Sequence, residues 1–163
     1  MKKLLIILAL IAAIIVSYII FKDHSIYYEN ISNFSIIYTS SQAFPGFSET
    51  QISIFSSGDY SYVEYSLGKP SIGENEQKDL VKSIGGKLNE TELSEFVKFV
   101  IEENDFFSLP KDLDDSKVLD GSDSYIEVEY GERIFKVGGY GVNNKIFEKI
   151  VSRLYNYKFR FIG

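Results

Sequence analysis

One run of residues constrains this chain more than any other. From Leu4 to Phe21 no charged side chain occurs, and Lys2 and Lys3 stand immediately before it. At about 1.5 Å of rise per residue a helix over that run is roughly 27 Å long, close to the roughly 30 Å hydrocarbon thickness of a bilayer. The run is therefore expected to cross a membrane once. The two lysines keep the N-terminus cytoplasmic and send everything after Phe21 to the other side. A cleaved secretory signal is the competing reading, but it wants a shorter apolar core and a small-x-small cleavage site. Ala12-Ala13 lies inside the run and Ser17 has Ile15 two places before it, so an uncleaved anchor is preferred and secretion after cleavage is the alternative. The expected organisation is an anchor over 1–21, a juxtamembrane tether over 22–32 and one extracytoplasmic domain over 33–163.

The domain is long enough to bury a core of its own. The chain carries 17 Lys and Arg against 23 Asp and Glu, a net charge of -6, which argues against nucleic acid as a partner because phosphate neutralisation needs a basic face. The absence of cysteine excludes disulfides, thiolate metal sites and a lipid-modified cysteine. The single histidine, His24, falls just past the anchor, so no Ser-His-Asp triad can be assembled inside the domain. No spacing marks two carboxylates as an acid and a base, so a non-catalytic protein is expected and a carboxylate-dependent hydrolase is the least favoured reading.

Twelve Tyr and 13 Phe mixed with Ile and Ser suit half-buried strands. Phe34, Ile36 and Tyr38 alternate with Ser35, Ile37 and Thr39, predicting a strand from about Phe34 to Ser40. Strands over Thr50–Ser56 and Tyr60–Leu67 are predicted to turn at Gly58-Asp59, setting Ile54 opposite Val63 and Ile52 opposite Tyr65. A weaker strand spans Gln77 to Ile84, and Gly85-Gly86 is expected to break the chain after it. Asn89, with Glu92 three residues on, has the capping-box spacing. The helix behind it carries the stripe Leu93, Phe96, Val97, Val100 and Ile101. Phe106-Phe107-Ser108-Leu109-Pro110 is expected to end that helix, with the aromatics folding back on the core.

Ser124–Tyr130 and Arg133–Val137 are predicted to form a hairpin about Gly131-Glu132, with Tyr130 opposite Arg133, Val128 opposite Phe135, Ile126 opposite Val137 and Glu127 opposite Lys136. Gly138-Gly139-Tyr140-Gly141 is expected to be a hinge or turn. Asn143 or Asn144 then caps a final helix with the stripe Ile146, Phe147, Ile150, Leu154 and Tyr157. The fold class is α+β: a single antiparallel sheet of about five to six strands with two amphipathic helices on one face.

Ser57-Gly58-Asp59, the helix running into Phe106-Phe107-Ser108-Leu109-Pro110, Asp120-Gly121-Ser122 and the closing amphipathic helix together resemble a prokaryotic family of small secreted or membrane-anchored domains of unknown function. The resemblance spans about Phe34 to Tyr157. Members of that family often carry a cysteine-containing turn before the second strand, where this chain has Ala43-Phe44-Pro45-Gly46-Phe47. The resemblance implies architecture and exposure outside the cytoplasm, and no mechanism.

The sharpest candidate for chemistry is the acidic stretch from Asp112 to Asp123. Oxygen side chains fall at calcium-loop positions as Asp112, Asp114, Ser116, Asp120 and Asp123, although Lys117 stands where the template wants glycine. The plain alternative is a solvated loop closing in a turn; beyond Ca2+ at this loop no cofactor is expected. Asn30, Asn33 and Asn89 head N-x-S/T sequons, with Asn89 better explained as a helix cap and Asn30 and Asn33 the better acceptors for glycosylation. Phe44 and Phe47, in a Pro-Gly turn, and Phe99, off its helix's stripe, are candidate contacts for a protein or envelope partner. The tail from Tyr155 to Phe161 alternates aromatic with polar residues, as an edge strand or a membrane-interface segment would. Expected partners are thus the bilayer, through Leu4 to Phe21, and an unidentified protein or envelope component.

Overall fold

Alternation in the first strand places its largest side chains on one face, and that face organises the domain. The computed structural model describes residues 31–42, 48–67, 78–115 and 121–162; the expected anchor, Asn30, Phe44, Phe47, Ser116 and Asp120 lie outside them. Strand β1 (Phe34–Gln42) buries Phe34, Ile36 and Tyr38. It is followed by β2 (Ser48–Phe55), β3 (Asp59–Leu67), β4 (Lys78–Lys87), helix α1 (Glu90–Lys98), β5 (Asp123–Tyr130), β6 (Arg133–Tyr140) and helix α2 (Lys145–Ile162). The six strands form one sheet in the order β4-β3-β2-β1-β5-β6, with every neighbouring pair antiparallel. Among the described residues no helix is long and apolar enough to cross a membrane.

Both helices pack on the face that carries Phe34, Tyr38, Tyr60 and Tyr62. Phe96 of α1 meets Phe34 edge-on, with ring centroids 6.3 Å apart. Phe147 and Tyr155 of α2 flank Tyr38 at 6.3 and 6.1 Å, and Tyr157 of α2 reaches Phe96 at 5.7 Å. The α+β expectation holds in this form. The capping box is also present: the Asn89 side chain accepts from the Glu92 N–H, and Glu92 accepts from the Asn89 N–H. All the predicted pairs of the β5–β6 hairpin are found.

The β2–β3 register differs from expectation. Ile54 lies opposite Tyr60 and Ile52 opposite Tyr62, so Tyr60 and Tyr62 are buried and Val63 and Tyr65 take the other face. The loop has three residues, Ser56-Ser57-Gly58, not two. Gly58 sits at φ +82°, the left-handed residue that closes such a loop. Its carbonyl accepts from the Leu88 N–H at 2.9 Å, tying the turn to the start of α1.

Neither glycine pair breaks the chain. Gly85 and Gly86 are inside β4, paired with Ser61 and Tyr60, and Gly138 and Gly139 are inside β6, paired with Tyr125 and Ser124. The first helix ends before Pro110: its last turn widens into a π turn, Phe99–Glu103, and Asp105 adopts a left-handed φ of 41°. Asn104, buried, donates to the Phe99 carbonyl at 2.7 Å. Phe106 then turns back and is fully buried, as expected. The tail from Tyr155 to Phe161 is neither strand nor irregular, because it continues α2.

Candidate functional site

Antiparallel pairing brings the end of β1, the start of β5 and the end of β6 to one pole of the sheet, and α2 begins there. Asn144 caps α2, its Oδ1 accepting from the N–H groups of Ile146 and Phe147 at 3.0 and 3.1 Å. Between these elements lies a cleft of about 670 Å³. Its floor includes the ring of Tyr38, held edge-on by Phe147. Its walls bring Gln42, Ser122, Ser124, Asn143, Glu148 and Ser152 together.

The serines are ordered by one another. Ser124, buried, shares hydrogen bonds with Ser40 at 3.0 Å and Ser122 at 3.2 Å. Gly121 donates its N–H to the Tyr140 hydroxyl at 2.9 Å, and Gly141 donates to the Ser122 carbonyl at 3.1 Å. The two strands' ends are therefore stitched to each other just below the cleft. Hydroxyl and amide groups, with Glu148 the one carboxylate among the described lining residues, make a site that hydrogen-bonds a polar ligand over the covered rings of Tyr38 and Phe147.

None of these cleft residues stood out as a site in the sequence. The usable signal was the β5–β6 register: extended by three pairs, it places Gly121-Ser122 beside Gly141, directly before the last helix.

The acidic stretch has a structural use. Lys111 to Asp115 runs beside β6, with Asp112 bridging Gly138 in parallel. Leu113 donates to the Gly138 carbonyl at 2.9 Å and Asp115 to the Tyr140 carbonyl at 3.0 Å. Asp114 Oδ1 accepts the Tyr140 N–H, while Asp112 Oδ1 accepts the Asp114 N–H. Asp123 is the first residue of β5, paired with Tyr140. Among the described residues, no three His, Cys, Asp or Glu side chains are grouped to hold a metal ion.

Phe99 is half-buried against the core, and the Arg153 guanidinium lies 4.6 Å over its ring. Asn33 is exposed and donates from Nδ2 to the Gly131 carbonyl at 2.9 Å. None of the described groups with shifted pKa values lines the cleft, although Tyr155 packs against Tyr38 beneath it. Burial, with Tyr38 and Tyr62 nearby, pushes Tyr155 up to about 12, and burial also raises Tyr60. The Arg160 guanidinium and the Asn89 N–H hold Glu92 below the usual carboxylate range. These are packing and capping groups of the helices.

No known family model matches this chain, and a comparison with characterised proteins gives no match. The resemblance to small secreted domains gains no support from either.

Proposed function

We propose that this chain is a single-pass, membrane-anchored binding or assembly module, non-catalytic, which presents its domain outside the cytoplasm. The observation that carries the proposal is the polarity of β1. The chain enters the domain at Ile31, at one end of the sheet, and the polar, aromatic-floored cleft opens at the other end, past Gln42. A domain tethered through residues 22–30 thus offers its cleft away from the bilayer. Hydroxyls from Ser122 and Ser152, the amides of Gln42 and Asn143 and the carboxylate of Glu148 favour a polyhydroxylated ligand of the cell-envelope polymer kind.

The reading is tested with the full chain in detergent, titrated with neutral oligosaccharides and followed by ligand-observed NMR. Binding is expected in the native chain and its loss in Ser152→Trp, which fills the cleft from the exposed side of α2. Absence of binding to every oligosaccharide, or binding unchanged in Ser152→Trp, counts against it. The calcium reading now rests on Asp112, Asp114 and Asp123 alone among the described residues. A thermal shift with millimolar calcium that disappears in Asp123→Asn would restore it.

A further inference from the structure

The sheet also has a second pole, and its surface differs in kind from the cleft's. Among the described residues the exposed large hydrophobic side chains are Phe55, Leu80, Val81, Ile134, Phe159 and Ile162. The register assigns each a height along the sheet. Phe55 lies opposite Ser35, and Ile134 lies opposite Glu129, which is itself opposite Ser35. Gly86 is joined through Tyr60 and Ile54 to Ile36. The Phe161 ring lies over Gly86, so the end of α2 that carries Phe159 and Ile162 is at this same height. Four of the six therefore ring the pole where β1 starts; Leu80 and Val81 sit near the other end of β4.

Exposure here is substantial: 67% for Ile134, 68% for Phe159, 50% for Ile162 and 42% for Phe55. This is the pole from which residues 1–30 leave the domain. Ile31 packs against the core, and Asn33 and Gly131 exchange hydrogen bonds that hold the β5–β6 turn beside the departing chain. At no more than about 3.6 Å per extended residue, the ten steps from Phe21 keep Ile31 within roughly 36 Å of a bilayer crossed by Leu4–Phe21. A surface held that close meets the lipid at high effective concentration.

We propose that this pole rests on the membrane, with Phe55, Ile134, Phe159 and Ile162 inserted at the headgroup level. The proposal rests on the anchored reading above. Two of the pole's cations are matched, Lys87 with Asp59 at 3.3 Å and Arg160 with Glu92, and Arg133 in the β5–β6 turn stands beside Glu132, so charges of both signs lie among the apolar side chains and the contact does not require anionic lipid. Seated this way, the domain stands upright and the cleft faces outward at a fixed height.

The chain has no cysteine, which makes the test direct. Single variants Ala12→Cys, Ile134→Cys, Phe159→Cys, Leu80→Cys and Ser152→Cys of the full chain are labelled with an environment-sensitive fluorophore and reconstituted into phosphatidylcholine vesicles. Quenching by acyl-chain nitroxide lipids is compared with quenching by aqueous iodide. Labels at 134 and 159 are expected to be quenched several-fold more by nitroxide lipid than labels at 80 and 152. If the label at 12 is lipid-quenched while those at 134 and 159 are quenched by iodide as fully as that at 80, the seated pole is wrong and the anchor stands. Labels at 134 and 159 that neither quencher reaches place the pole against protein and also overturn it. If the label at 12 is quenched by iodide, the anchor fails and the seated pole fails with it.

Discussion

The two outer strands of the sheet each contain a glycine pair, and the pairs serve different purposes. In β4, Gly86 makes room: a side-chain carbon there would run into the ring of Phe161, which the last turns of α2 lay on the strand. In β6, Gly138 and Gly139 supply room and backbone shape together, with φ values of 156° and 152°. A side-chain carbon at Gly138 would strike the Ser124 carbonyl, and one at Gly139 the Asp114 carboxylate. One edge is roofed by a flexible aromatic side chain; the other is strapped by main chain. A ring can swing aside and a hydrogen-bonded segment cannot, so equal substitutions should have unequal costs.

The largest effect is expected for Gly139→Ala. It should cost about 3 kcal/mol or more in urea unfolding, since strain at positive φ adds to a clash with the strap. Gly86→Ala should cost about 1–2 kcal/mol, because Phe161 can turn away; equal costs for the two would dissolve the contrast between edges. Asp114→Ala removes the acceptor of the Tyr140 N–H and should cost about 1 kcal/mol. Hydrogen exchange should then speed up at Tyr140 and Leu113 and stay unchanged in β4.

The smallest effect is a pH dependence from the middle of the sheet, where Tyr155 packs on Tyr38 and Tyr62. Tyr155 has its folded pKa raised to about 12 by burial, so the neutral form is the one that folding favours. Its contribution is fully present below the unfolded value near 10 and is lost as pH rises through about 12. Chemical denaturation between pH 9 and 11.5 should show stability falling in that window. In Tyr155→Phe the fall should be shallower, with Tyr60 still contributing part of it.

Much of the architecture could be read from residue pattern, and the failures have physical causes. In β5 and β6, Ile126 and Val128 against Phe135 and Val137 sort into a buried face in only one way, with two turn residues between the strands. In β3 the run Tyr60-Ser61-Tyr62-Val63-Glu64-Tyr65 has large side chains on both parities, so pattern alone does not decide which face turns inward. Gly58 decides it, by closing a three-residue loop under the start of α1. The glycine pairs resemble breaks because what lies over them comes from elsewhere: Phe161 from the end of the chain, and Asp114 from a segment whose acids suggested metal binding. The cleft was hidden for the same reason, being shared by residues from β1, the start of β5, the end of β6 and α2. The capping box at Asn89, by contrast, is complete within four residues and was plain in the sequence.

The central place of β1 has a consequence for how the domain is made. It is the first strand of the domain to be synthesised, yet its second neighbour is β5; Ser35 and Glu129, hydrogen-bonded across that junction, are 94 residues apart. A chain emerging N-terminus first can pair β1 to β4 as a local meander. Until β5 arrives, though, β1 presents a bare strand edge, an adhesive template for any other extended chain. Synthesis of this domain therefore includes an interval in which its centre is also its most vulnerable margin. Late pairing of this kind is slow, and translation must run through β5 before the margin can close.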